Sequence, residues 1–196
     1  MKPILAHLTL VLAVTVLLLG TGVPAQAEAV GYAVDKSHSS IVFRVKHLDI
    51  GFTYGFFRDF SGSFTVDEEN AAASSVELEI QLASVDTNDE KRDQHLKSPD
   101  FFGVNQFPTM TFKSTSVKKN GDDKFDVTGD LSLHGVTKSV TVTMKKTGEG
   151  DDPWGNHRIG FEGMFKLKRS EYGMDKMLEA ASDEIRIIVA VEGTKK

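Results

Sequence analysis

Residues 35–48, Asp-Lys-Ser-His-Ser-Ser-Ile-Val-Phe-Arg-Val-Lys-His-Leu, gather two histidines, an acid and three serine hydroxyls, the residue types of a metal or acid–base site. On an extended strand, however, His47 shares a face with Ile41, Phe43 and Val45, while His38 lies on the other side with Ser40, Val42 and Arg44. Nine positions at the strand rise separate the two imidazoles by roughly 30 Å. They do not form one site within this segment. His95, His134 and His157 stand at no metal-ligand spacing such as H-x-x-x-H, and the chain has no cysteine, so no resident metal or other cofactor is expected. There is no G-x-S-x-G elbow, phosphate-binding loop or dinucleotide glycine pattern, and no catalytic residue is assigned. Arg92, Asp93 and His95 share one short helical stretch, where tying the helix to its neighbours is favoured over catalysis. His134-Gly135 sits between two alternating runs and reads as hairpin chemistry.

The elements that would position these residues are strands. Apolar residues alternate with polar ones at Ile41/Phe43/Val45, Phe60/Gly62/Phe64/Val66, Val76/Leu78/Ile80/Leu82 and Met110/Phe112. The pattern continues at Phe125/Val127/Gly129/Leu131/Leu133, Val140/Val142/Met144, Phe161/Gly163/Phe165/Leu167 and Ile185/Ile187/Val189/Val191. Turn-forming stretches such as Asn120–Asp123 and Gly148–Pro153 join them. One segment breaks the rhythm. Thr87-Asn88-Asp89-Glu90 has the form of a capping box, predicting a short helix from about Asn88 to Lys97 that ends before Pro99. Eight antiparallel strands with one apolar face each predict an all-β fold that closes on itself or forms a sandwich, and eight is the number at which side chains fill a closed barrel or one small ligand fits. The inward phase contains Gly62, Gly129 and Gly163, which mark bends or leave volume unfilled. Strand parity leaves a solid core and a hollow lumen equally open.

The N-terminus bears on compartment. Lys2, the apolar run Leu8–Leu19 and Ala25-Gln26-Ala27 have the form of an export signal with cleavage expected after Ala27; the mature chain, residues 28–196, is expected to be one domain in the periplasm, with simple secretion the alternative. Without Lys2 the balance is 22 basic against 28 acidic residues, net −6. An acidic surface argues against nucleic acid or an anionic membrane as partner, and no stable membrane insertion is expected once the signal is removed.

Four blocks in order resemble the YceI-like family of exported polyisoprenoid- and lipid-binding proteins. They are Tyr32–Ser39 with Val42-Phe43 and His47-Leu48; Arg92–Ser98 with Asp100-Phe101-Phe102 and Phe107-Pro108; Gly129–Lys138; and Arg169–Gly173. The resemblance spans essentially the whole mature chain and implies a lipocalin-like barrel whose lumen takes a long isoprenoid or similar apolar lipid, such as a quinone or prenyl phosphate. It implies no established catalytic set, and a homodimer is the assembly it suggests. Strand parity then puts Phe43, Phe64, Leu78, Ile80, Phe112, Leu131, Leu133, Val142 and Phe165 along the lipid tail. His38, Arg92 and His95 are the expected head-group contacts at a mouth, with Gly51–Gly55 and Ser170–Ser182 as candidate lids. The competing readings are an isoprenoid-modifying enzyme built on Arg92, Asp93 and His95, and a stress-related structural or interaction protein with a filled barrel.

Overall fold

The computed structural model describes residues 29–196; the expected export signal lies outside the described residues. Eleven strands form one antiparallel sheet: β1 (Val30–Val34), β2 (Ser40–His47), β3 (Gly51–Phe57), β4 (Phe60–Val66), β5 (Ser75–Gln81), β6 (Val85–Asp86), β7 (Thr109–Lys119), β8 (Lys124–Leu133), β9 (Val136–Asp151), β10 (His157–Lys168) and β11 (Ala181–Lys195). The helix α1 (Glu90–Lys97) follows β6. The ring β1-β4-β5-β7-β8-β9-β10-β11 closes through the β1–β11 pairing, giving an eight-stranded barrel.

The three remaining strands extend three of these staves. β11 pairs with β1 through Gly193–Lys195 and with β2 through Ala181–Ala190, so β1 and β2 are one stave interrupted at residues 35–39. β3 and β4 form a second broken stave, and β5 and β6 a third, because β3 pairs with both β2 and β6. Eight staves were legible in the alternation; the breaks were not. The candidate lid at Gly51–Gly55 is part of strand β3, paired along its length with β2. Its phase is inverted, with Phe52 and Tyr54 exposed and Gly55 and Phe57 buried, so it lacks the inward apolar run that marks its neighbours.

Other boundaries shift for local reasons. Gly148–Pro153 is not a turn: β9 runs on to Asp151, and the reversal is made by Asp152, whose carboxylate accepts from the N–H groups of Trp154 and Asn156, both at 2.9 Å. The expected capping box does not form. Asp89 caps α1 by accepting from Arg92 N–H (2.9 Å), Asn88 adopts a left-handed conformation (φ 63°), and buried Thr87 donates its N–H and hydroxyl to Asp93 instead. His134-Gly135 makes the two-residue hairpin between β8 and β9, both residues at positive φ. Its His134 ring nitrogen Nδ1 donates to the Tyr172 carbonyl (2.9 Å).

The core falls into two clusters. One, around Phe43, Phe57, Leu82, Leu133, Tyr172 and Met174, fills the end of the barrel covered by α1 and residues 98–108 and 169–180. The other, around Tyr32, Phe64, Phe125, Ile159 and Phe161, lies toward the opposite end. The glycines of the inward phase do not leave space. A Cβ on Gly129 would lie 2.5 Å from both Phe112 Cζ and the Lys113 carbonyl, and one on Gly163 would lie 2.3 Å from Met144 Sδ. Neighbouring side chains occupy what the missing side chains give up.

Candidate lumen site

Between the two clusters the barrel is not filled. An internal cavity of about 130 Å³ runs along the axis from Ile41, Ile80 and Leu131 to Phe64, Phe125 and Phe161, with Thr65, Val66, Ser74 and Ser75 at its edge. Leu78, Phe112, Phe165 and Val189 point inward yet are only half-buried, because what they face is this cavity. One water-sized group needs at least about 10–15 Å³ by this measure, so the space takes roughly ten such groups. With a lining almost wholly apolar, there is little to hold water there and much to hold a hydrocarbon.

Seven of the nine positions predicted from parity line the cavity: Phe64, Leu78, Ile80, Phe112, Leu131, Val142 and Phe165. Phe43 and Leu133 share the inward phase but belong to the packed cluster beyond its end; Phe43 lies over Gly55 and against Phe57 at 5.6 Å. Parity identifies the face, and only packing decides where along that face space remains. Val127, Ile187 and Val191 also line the cavity and could have been chosen by the same alternation.

The expected head-group residues stand elsewhere. None of His38, Arg92 and His95 lines the lumen. His38 lies in the exposed turn between β1 and β2, where its Nδ1 is 2.8 Å from Asp35 Oδ2. Arg92 holds the start of α1 by donating to the Thr87 hydroxyl (2.8 Å) and carbonyl (2.7 Å). His95 is exposed, edge-on to Phe101 and 3.3 Å from Asp100. Asp35, His38 and Glu192 approach closely enough to share a cation, but the Arg158 guanidinium already donates to both carboxylates at 2.7 Å. Hydrogen bonds from Ser37, Arg158 and His38 hold the Asp35 carboxyl well below the usual carboxylate range.

The lid expected at Ser170–Ser182 is pinned rather than loose over much of its length. Arg169 is 5% exposed and donates to the carbonyls of Met174, Lys176, Ala181 and Ser182 at 2.7–3.1 Å. Burial lowers its pKa from the ordinary guanidinium value.

At the opposite end sits a cluster that sequence reasoning missed. Lys146 donates to Glu149 and Glu68, and His157 reaches Glu149 and Asp151, both at 2.7 Å. Burial opposes charge on Lys146, but the hydrogen bonds to Glu149 and Glu68 outweigh it and raise its pKa; Glu149 and Asp151 likewise raise that of His157. The signal was present: Lys146 continues the inward phase of Val140, Val142 and Met144.

A profile of the YceI-like domain matches residues 32–193. The chain belongs to the YceI-like family. It is similar to the UPF0312 protein of Azotobacter vinelandii, 48% identical over 91% of this chain and 93% of that one, and to Protein YceI of Escherichia coli, 48% identical over 87% and 90%. Among solved structures, Burkholderia cenocepacia BcnA aligns at 28% identity over 81% of this chain and 98% of that one, with a TM-score of 0.74. A polyisoprenoid binding domain from Saccharophagus degradans aligns over 85% and 99% with a TM-score of 0.68; at 17% identity it shows a common fold. This YceI-like barrel shares its fold with these structures, and its main internal feature is the unfilled apolar lumen.

Proposed function

We propose that this protein is an exported, periplasmic carrier that holds a polyisoprenoid or similar long-chain lipid in its lumen, for sequestration or transport. The observation that carries the reading is the cavity itself, lined by inward-facing aliphatic and aromatic side chains from across the barrel. The polyisoprenoid-binding description of the Saccharophagus degradans neighbour supports the choice of ligand class. Each buried methylene contributes about 0.8 kcal/mol, so about ten carbons in the cavity supply about 8 kcal/mol before ordering costs, which leaves the cavity alone weaker than micromolar. A longer chain would extend through the mouth or widen the lumen.

The test is organic extraction of protein purified from its native host, followed by mass spectrometry, together with titration of a fluorescent prenyl probe. A co-purifying long-chain lipid and saturable probe binding are expected. Empty protein that also ignores the probe would refute the reading.

A further inference from the structure

Just beyond the lumen end bounded by Phe64 and Phe161, outside the cavity lining itself, Lys146 and Glu68 form an ion pair. Lys146 on β9 lies one inward position beyond the cavity-lining Met144 and is the cross-strand partner of Phe161. Glu68 lies two residues past the cavity-lining Val66 at the end of β4. In the eight-membered ring, β9 and β4 are four steps apart in either direction, so they face each other across the lumen. The Lys146–Glu68 pair therefore joins opposite staves at this end of the barrel.

The two halves of this bar are held unequally. Lys146 is also bonded to Glu149, which His157 fixes from its other side, so the ammonium belongs to the rigid β9–β10 hairpin. Among the described residues, Glu68 has no side-chain partner other than Lys146. It sits in the connection of residues 67–74, which returns to the chain at Ser74 and Ser75 on the edge of the cavity. Buried Asp67 holds the backbone of this connection by accepting from Glu69 and Asn70 N–H, so what is free to turn is the Glu68 side chain, the less tethered half.

We propose that this pair is a removable bar over the mouth, and that the Lys146 ammonium, once Glu68 swings away, donates to an oxygen of the cargo's polar head. The inference rests on the lumen-carrier reading and deepens it by naming the head-group class. A phosphate, carboxylate or carbonyl takes the place of the Glu68 carboxylate; an anionic head leaves the local charge unchanged. A cationic head meets the ammonium and is disfavoured.

The experiment uses a fluorescent 15-carbon prenyl chain ending in phosphate, and the same chain ending in trimethylammonium. The wild-type protein is expected to prefer the phosphate probe, and Lys146→Met to lose that preference while still binding both. Glu68→Gln should speed loading and release by about two- to fivefold, the scale of one partly exposed ion pair. Because the chain has no cysteine, Glu68→Cys with Lys146→Cys can be joined by a short bis-maleimide, which should stop probe exchange. Exchange as fast as in the same variant left unjoined, or an unchanged head-group preference in Lys146→Met, overturns the bar while leaving the carrier reading intact. Failure of both probes to bind wild-type protein overturns the carrier reading and the bar with it.

Discussion

A glycine on the inner face of a barrel leaves room only when no neighbour takes it. At Gly129 the Phe112 ring lies where a side chain would stand, and Phe112 is also part of the cavity wall. Gly129→Ala should therefore push this ring into the lumen or spread β7 from β8. The expected result is a destabilisation of about 1–3 kcal/mol in urea unfolding, accompanied by weaker probe binding. His157 makes a second prediction at this scale. Its two ring nitrogens face Glu149 and Asp151, with Tyr32, Lys146 and Glu68 nearby, and its pKa is raised above the ordinary value of about 6.5. A raised folded-state pKa means stabilisation that is fully present below about pH 6.5 and is lost as pH rises through the folded value. The urea midpoint of the wild type should exceed that of His157→Gln at pH 6, and the gap should narrow on the alkaline side. A gap constant with pH would contradict the assignment.

Elements here owe their positions to side chains distant in sequence as often as to their own pattern. β3 is the clearest case: its alternation is inverted, and what makes it a strand is continuous pairing with β2 from Ile41↔Phe57 to His47↔Gly51. The segment after β10 is another. Its residues 174–182 lack a periodic signal, yet one buried guanidinium gathers four of their carbonyls, and Tyr172 and Met174 pack beneath at 1% and 4% exposure. Lysine cannot reproduce that planar fork. Arg169→Lys should cost about 2–4 kcal/mol by leaving buried carbonyls without donors, with amide exchange rising over residues 173–181. Uniform exchange across the molecule would show that the fork does not organise this segment.

At the scale of the whole molecule, the barrel is packed at one end, hollow in the middle and barred at the other. Residues of both core clusters form the cavity wall, so a side chain that fills the space adds contacts to each. Leu78 faces the cavity from β5 and is half-buried. Leu78→Trp should fill much of the free volume, reducing prenyl-probe affinity by at least about tenfold, roughly 1.4 kcal/mol, while leaving the thermal midpoint unchanged or higher. Unaltered binding by a folded Leu78→Trp protein would place the ligand outside the lumen.

The sequence by itself determined the all-β class, the eight staves, the short helix and the inward face of nearly every strand, because period-two alternation is a local property written into consecutive residues. It also carried the family, through four ordered blocks. Tertiary structure decided the rest. Whether Phe43 and Phe64, alike in type and phase, plug the barrel or line its cavity depends on which rings arrive from other strands. Whether Lys146 meets Glu68 depends on closure of the ring, which sets opposite staves face to face. Volume and cross-barrel contact are sums over distant parts of the chain, and no local pattern encodes them.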